Sequence, residues 1–239
     1  MIKNIKPICI IPARGGSKRI KNKNIIDFFG KPMIYYALNA AKKSCLFDEI
    51  HVSTDSEEIK KVVEKLGFKV KFMRDSELAD DYTGLFPVIK WVFEQYKKRG
   101  KYFDDIFCIM PVAPLLNEVD LINGYNKFKK FNSVHPLVVV SPFSVPVEWA
   151  LYRDINGVIE PKDKNSLQMR SQDIETTFYE SGPFNIFSSR HIEDNDFFIK
   201  SKYISILMDK TRAIDVDNHE DLEFAKVLYL GNKKLKENN

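Results

Sequence analysis

The chain has 239 residues, 44% of them hydrophobic and 29% charged, and 37 Lys and Arg against 33 Asp and Glu leave a net charge of +4. That length fits one compact domain, or one domain with a small appendage, and that composition excludes disorder and collagen-like repeats. The positive surplus is too slight for a binder of duplex nucleic acid but suits a local pocket for an anionic small molecule. In chain order, Pro7-Ile8-Cys9-Ile10-Ile11 is a continuous apolar run, as expected of a strand covered on both faces. Residues 12–24 form a long polar loop. A helical pattern follows over 31–44, with Ile34, Ala37, Leu38 and Ala41 on one face. Residues 49–53 read as the second strand, Ser56 as the cap of a helix over 57–66 that Gly67 ends, and 69–72 as a short third strand. Leu85, Val88, Ile89, Val92, Phe93 and Tyr96 make one apolar stripe, the clearest helix of the chain. A strand over 106–110, a helix over 118–131 and a strand over 137–140 continue the alternation. Such an order implies parallel βαβ units with right-handed crossovers, an α/β fold.

The rhythm breaks between 141 and 179, where Pro142, Pro146, Pro161 and the turn Asp154-Ile155-Asn156-Gly157 predict irregular chain and a hairpin. It resumes with a strand near 183–187, a short helix over 188–192, a strand over 203–207 and a helix over 220–230. The expected organisation is an α/β core of residues 1–140 and 180–232, an arm of 141–179, and a flexible tail of 233–239. No run reaches the ~18 consecutive apolar residues of a membrane helix, and residues 1–7 lack the apolar core of a signal peptide. Cys9, Cys45 and Cys108 are spaced neither as a disulfide framework nor as a zinc site. The expectation is a cytoplasmic protein with no membrane or nucleic-acid partner.

The richest segment is the loop after the first strand. Gly15-Gly16 allows close backbone approach and positive φ, and Arg14, Lys18, Arg19, Lys21 and Lys23 crowd five cations around it. In open α/β sheets ligands bind at the carboxyl ends of strands, so this loop is a candidate triphosphate site. It is neither a P-loop nor the dinucleotide fingerprint. Asp55 or Ser56 caps the next helix or joins the site. Arg74 could reach a nucleotide, and the acidic run at 75–81 reads mainly as a solvated loop. Asp215 and Asp217, two apart on an extended segment, point to one face, which suits a divalent cation; Asp217 or Asn218 could equally cap the last helix. Arg170 and Gln172, in the irregular arm, could bind a carboxylate and hydroxyls or form a surface ion pair. His51, His135, His191 and His219 share no metal-ligand spacing, and no serine sits in Gly-x-Ser-x-Gly.

The stretch Ile10-Ile11-Pro12-Ala13-Arg14-Gly15-Gly16-Ser17-Lys18-Arg19-Ile20, followed by Lys23-Asn24, resembles the opening signature of the acylneuraminate cytidylyltransferases, the CMP-sialic acid synthetases. The likeness continues in order through Val52-Ser53-Thr54-Asp55, Arg74, residues 78–81, Ala113-Pro114-Leu115 and Asp215-Val216-Asp217. Within that family, Ala113-Pro114, Arg170-Ser171-Gln172-Asp173 and residues 221–226 resemble the branch that acts on pseudaminic acid, and Leu116 stands where the sialic acid branch has an arginine. The resemblance implies a Rossmann-like, mostly parallel sheet with helices on both faces and a small arm that reaches across a homodimer. It implies that CTP and a nine-carbon 2-keto-3-deoxy sugar acid, pseudaminic acid or a close relative, give the CMP-sugar and pyrophosphate. The nucleotide would be held by Ala13, Arg14, Gly15, Gly16, Ser17, Lys23, Asn24, Arg74 and Thr83. Arg14, Lys23 and Asp217 would be catalytic, Asp215 and Asp217 would hold Mg²⁺ or another divalent cation, and Arg170 and Gln172 would face the sugar. Two segments depart from the branch. Tyr82-Thr83-Gly84-Leu85 replaces Tyr-Ala-Ser-Ser, which leaves Tyr82 or Thr83 for a hydroxyl contact near the cytosine. Glu180 stands where a pocket histidine is expected, and Pro183 stiffens the start of the following strand. Two other readings stay open: a nucleotidyltransferase for another acidic sugar of sialic, legionaminic or Kdo type, and a catalytically silent nucleotide-binding homologue.

Overall fold

A computed structural model describes residues 6–165, 168–194 and 202–237. The first strand, β1 (Ile8–Pro12), leads into the long loop, which ends in a minimal hairpin of β2 (Asp27–Phe28) and β3 (Lys31–Pro32). Helix α1 (Ile34–Ser44) therefore starts three residues later than its apolar pattern predicts, because Lys31 and Pro32 pair back onto Phe28 and Asp27. Then follow β4 (Glu49–Ser53), α2 (Glu57–Lys65), α3 (Leu85–Lys98), β5 (Asp105–Ile109), α4 (Glu118–Lys130) and β6 (Leu137–Pro142). The irregular stretch carries a hairpin of β7 (Leu151–Arg153) and β8 (Ile159–Pro161), turning at the expected Asp154–Gly157. The chain closes with β9 (Phe178–Ser188), α5 (Ser189–Glu193), β10 (Ile204–Leu207) and α6 (His219–Glu237).

Six strands form one sheet in the order β10-β6-β9-β5-β1-β4. Neighbours are parallel except around β9, which runs antiparallel to both β5 and β6. Alternation along β1 shows why the sheet is covered twice. Cys9 and Ile11 pack with α1, α2 and α4 on one face, and Ile8 and Ile10 pack with α3 and α5 on the other. The stripe Val88, Ile89, Val92, Phe93 and Tyr96 is the buried face of α3, as its period of 3.6 demands. Ser56 caps α2, its hydroxyl accepting from the Ile59 amide at 3.3 Å.

Besides α1, three elements differ from the sequence reading. Residues 69–72 form no strand: they flank the edge of β4, and the ladder reduces to one bond, Arg74 N–H to the Thr54 carbonyl at 2.7 Å. Side chains hold the segment instead, with the Phe72 ring stacked on His51 at 4.3 Å and Lys71 paired to Glu49. Strand β9 starts at Phe178, well before Pro183. Gly182, at φ 76°, takes the left-handed turn of an irregularity near where the pairing with β6 shifts register, so Pro183 lies inside the strand. The last helix runs on to Glu237, past the Leu230 where its apolar pattern ends.

Candidate active site

A cleft of about 420 Å³ opens where the parallel strands end in carboxyl termini. One wall is the loop after β1, with Arg14, Ser17, Lys18, Arg19, Lys23 and Asn24; the opposite side brings Arg74, Asp81, Thr83 and Asp217. Ile20, Leu85, Val88, Met110 and Val112 add an apolar floor. The loop is braced from below. Ala13 donates its N–H to the Ser53 carbonyl at 2.8 Å, Gly15 donates to the Asp55 carboxylate at 2.9 Å, and the Asn24 amide donates to the Arg14 carbonyl at 2.9 Å. Asp55 thus ties two strand ends together and leaves the capping of α2 to Ser56. Gly15 and Gly16 do not take the positive φ their sequence allows. Gly15 serves by close approach, since a Cβ there would stand 3.0 Å from that of Ser56. Asn22 takes the left-handed turn of the loop instead, at φ 54°.

Two aspartates gather the cations. Asp81 accepts from Arg14 at 2.9 Å and pairs with Lys18, and Arg14 also donates to the Asp80 carbonyl at 2.5 Å. Asp217 accepts from Arg19 at 2.9 Å and from Lys23 at 2.8 Å. Arg74 is buried beneath them, its guanidinium donating to the Ser53 hydroxyl at 3.0 Å and the Ser53 carbonyl at 2.7 Å. Burial pulls its pKa down to about 10, so it stays charged at neutral pH. Thr83 is placed by Asp80, whose carboxylate accepts from the amides of Tyr82 and Thr83 at 2.9 and 2.6 Å.

Asn218 settles the competition over the last helix. Its side chain accepts from the Asp221 amide at 3.0 Å, and Asp221 in turn accepts from the amides of Asp217 and Asn218. The Asp217 carboxylate is therefore released from capping and turned to the cleft. Burial alone would raise its pKa, but Lys23 and then Arg19 outweigh that and hold it below the usual range. Asp215 lies deeper, against the irregularity at Gly182, where a Cβ would stand 3.8 Å from its Oδ2. Burial, and after it the charge of Asp217, raises the Asp215 pKa to about 6 against the pull of Lys23. Its Oδ1 is buried without a hydrogen-bond partner. An unpartnered buried carboxylate oxygen beside a second carboxylate fits a hard divalent cation. No cluster of three or more His, Cys, Asp or Glu forms among the described residues, so water or ligand oxygens would complete such a site.

Of the residues singled out from sequence, Arg14, Ser17, Lys23, Asn24, Arg74, Thr83 and Asp217 line one cleft. Ala13, Gly15 and Gly16 form its support rather than its lining. Arg170 and Gln172 do not line it. Both are exposed, and Arg170 pairs with Asp173 three residues on, at 2.8 Å. Asp81 and the apolar floor were missed. The doublet Asp80-Asp81 carried a signal, but its partners lie more than sixty residues away.

An open, mostly parallel sheet with a cation-lined cleft at its carboxyl edge defines a doubly wound α/β protein built to take an anionic ligand. The chain belongs to the cytidylyltransferase family: the family model described as "Cytidylyltransferase" matches residues 8–235. It is 38% identical over 225 residues to the pseudaminic acid cytidylyltransferase of Campylobacter jejuni, covering 94% of this chain and 97% of that one. It is 31% identical to the post-translational flagellin modification protein B of Campylobacter coli, over 92% of this chain and 94% of that one. In fold it is similar to a CMP:2-keto-3-deoxy-manno-octonic acid synthetase solved with CTP, at a TM-score of 0.70 and 16% identity, covering 95% of this chain and 99% of that one. No helix among the described residues is long and apolar enough to cross a membrane.

Proposed function

We propose that this protein transfers the cytidylyl group of CTP to an acidic nine-carbon sugar, pseudaminic acid or a close relative. The observation that carries this reading is the convergence of Arg14, Lys18, Arg19, Lys23 and Arg74 on one cleft, in a chain so similar to a pseudaminic acid cytidylyltransferase. The anomeric hydroxyl of the sugar gives its proton to a base, for which the Asp215 carboxylate is a candidate, and attacks the α-phosphorus; the bond to the bridging oxygen breaks, and pyrophosphate leaves with that electron pair. Such a transfer needs positioning and charge neutralisation more than covalent chemistry. Arg14 and Lys23 neutralise the phosphates and the departing pyrophosphate. Asn24 holds the loop, Arg74 and Thr83 border the nucleoside, and Leu85, Val88, Met110 and Val112 give the base an apolar surface. Asp215 and Asp217 would hold Mg²⁺, which supplies further neutralisation of the phosphates when bound.

The sugar end is completed by a second chain. Leu151, Tyr152, Ile155, Val158 and Ile159 of the β7–β8 hairpin are exposed, an apolar patch of the kind that marks an interface. A two-fold dimer buries such a patch twice and carries Arg170 and Gln172 toward the partner's cleft, where a guanidinium matches the sugar carboxylate. The reaction belongs in the cytoplasm, where CTP is made.

The test is pyrophosphate release from CTP over a panel of pseudaminic, legionaminic, sialic and Kdo-type acids. Release with pseudaminic acid or a near stereoisomer supports the assignment. Thermal stabilisation by CTP with no release for any acid would mark a silent nucleotide binder. EDTA should abolish turnover and Mg²⁺ restore it; undiminished turnover in EDTA would remove the cation from Asp215 and Asp217.

A further inference from the structure

The cations of the β1 loop are not waiting bare for a ligand. Asp81, on the segment before α3, takes Arg14 at 2.9 Å and also pairs with Lys18. Asp217, before α6, takes Arg19 and Lys23. The loop is thus clamped at two points to the opposite side of the cleft by carboxylates that stand where an anionic ligand would stand. The two aspartates are not equivalent. Asp217 sits beside the half-buried Asp215 and belongs with it. Among the described residues Asp81 is the carboxylate that pairs directly with Arg14 and Lys18, Asp80 meeting Arg14 through its carbonyl and feeling its charge from further off, and the turn does not need Asp81: the Asp80 carboxylate accepts from the Tyr82 and Thr83 amides. The Asp81 charge is therefore spent on the two cations, which in return hold its carboxylate below the usual range, Lys18 more than Arg14.

We infer that Asp81 is a built-in competitor for phosphate, an internal anion that occupies Arg14 and Lys18 until a polyphosphate displaces it and that reclaims them as pyrophosphate departs. The inference rests on the reading of the cleft as a phosphate site. Its chemistry is exchange of ion pairs, with no covalent step. A ligand must replace two carboxylate contacts at once, which a polyphosphate chain can do and a single phosphate group does poorly. The returning carboxylate limits how tightly pyrophosphate is retained, so turnover does not stall on product.

The experiment is calorimetric titration of the wild-type protein and Asp81→Asn with inorganic triphosphate and with pyrophosphate, in low salt. Asparagine keeps the shape and removes the charge. Losing two partly exposed ion-pair partners should tighten binding of both probes about three- to tenfold, and pyrophosphate should become a correspondingly stronger product inhibitor. Asp81→Ala should move affinity in the same direction, which covers any folding defect peculiar to asparagine. Unchanged or weaker triphosphate binding in both variants, with wild-type binding intact, overturns the role of Asp81 alone. Failure of the wild-type protein to bind triphosphate or CTP overturns it together with the phosphate-site reading.

Discussion

Lys23 is the most enclosed of the cations that pair with aspartate across the cleft, its side chain 16% exposed against 35% for Arg14 and 63% for Arg19. It lies in a loop and packs no core, so its loss should spare the fold. Removing one preorganised stabiliser of transition-state charge typically costs about 10²–10³ in rate. Lys23→Ala should therefore lose that much kcat/KM while melting normally; near-normal turnover would exclude a phosphate role. His51 gives the fold a pH dependence. It is buried on β4, stacked on Phe72, with Nδ1 3.2 Å from the Tyr96 hydroxyl and Nε2 without a partner. Burial first, then the nearby charges of Lys71, Arg74 and Arg99, lowers its pKa from 6.5 to about 3. The unfolded chain thus binds a proton between those values that the folded one does not. Stability from this residue is complete above pH 6.5 and is lost as pH falls toward 3, by roughly 2 kcal/mol at pH 5. Urea titrations from pH 7.5 to 5 should show this slope in the difference between the wild-type protein and His51→Gln, because Asp215, raised to about 6, titrates with the opposite sign in both.

Among the elements, α4 comes nearest the sheet through a glycine. A Cβ on Gly124 would meet the ring of Phe184 at 2.9 Å, and Phe184 is fully buried in β9. The ring has nowhere to go, so overpacking of about 1–3 kcal/mol outweighs the ~1 kcal/mol that alanine gains in a helix interior. Gly124→Ala should lower the melting temperature by a few degrees; a higher one would refute the tight contact. Elements were legible in the sequence where burial alone decided them. The unbroken run at Ile8–Ile11 and the stripe from Leu85 to Tyr96 each name a strand or helix without help. The direction of β9 was not legible, because an apolar run reads the same both ways and Gly182-Pro183 looks like a boundary instead of an interruption. Nor was the failed strand at 69–72, which has strand composition but side-chain partners. The basic half of the site was legible as a local cluster. Its acidic half was legible only in part: the pair Asp215 and Asp217 stood out by its spacing, whereas Asp81 reaches its cations only through the fold.

At the scale of the whole molecule, the single chain leaves its sugar-binding candidates outside the cleft. If sites are shared between two copies, Arg170→Ala and Lys23→Ala damage different halves of each site. A heterodimer of the two variants then keeps one site with both residues intact. Mixing tagged chains under conditions of subunit exchange should recover part of the activity. Verified heterodimers as inactive as either parent, or a monomer by light scattering, would rule out shared sites.

The chain leaves the sheet on β6 and returns on β9 at adjoining points: Pro142 is paired with Phe178, and the Phe143 amide donates to the Thr177 carbonyl at 3.1 Å. However long it is, the stretch from 144 to 176 is topologically the loop of a hairpin. The entropy of closing a flexible loop rises only with the logarithm of its length, about 0.6 kcal/mol per doubling. The six-stranded sheet and its cleft are therefore nearly indifferent to what is threaded between those two anchor pairs. This makes the stretch an exchangeable cassette: a short turn or a foreign sequence spliced there should leave the sheet and the nucleotide half as they are.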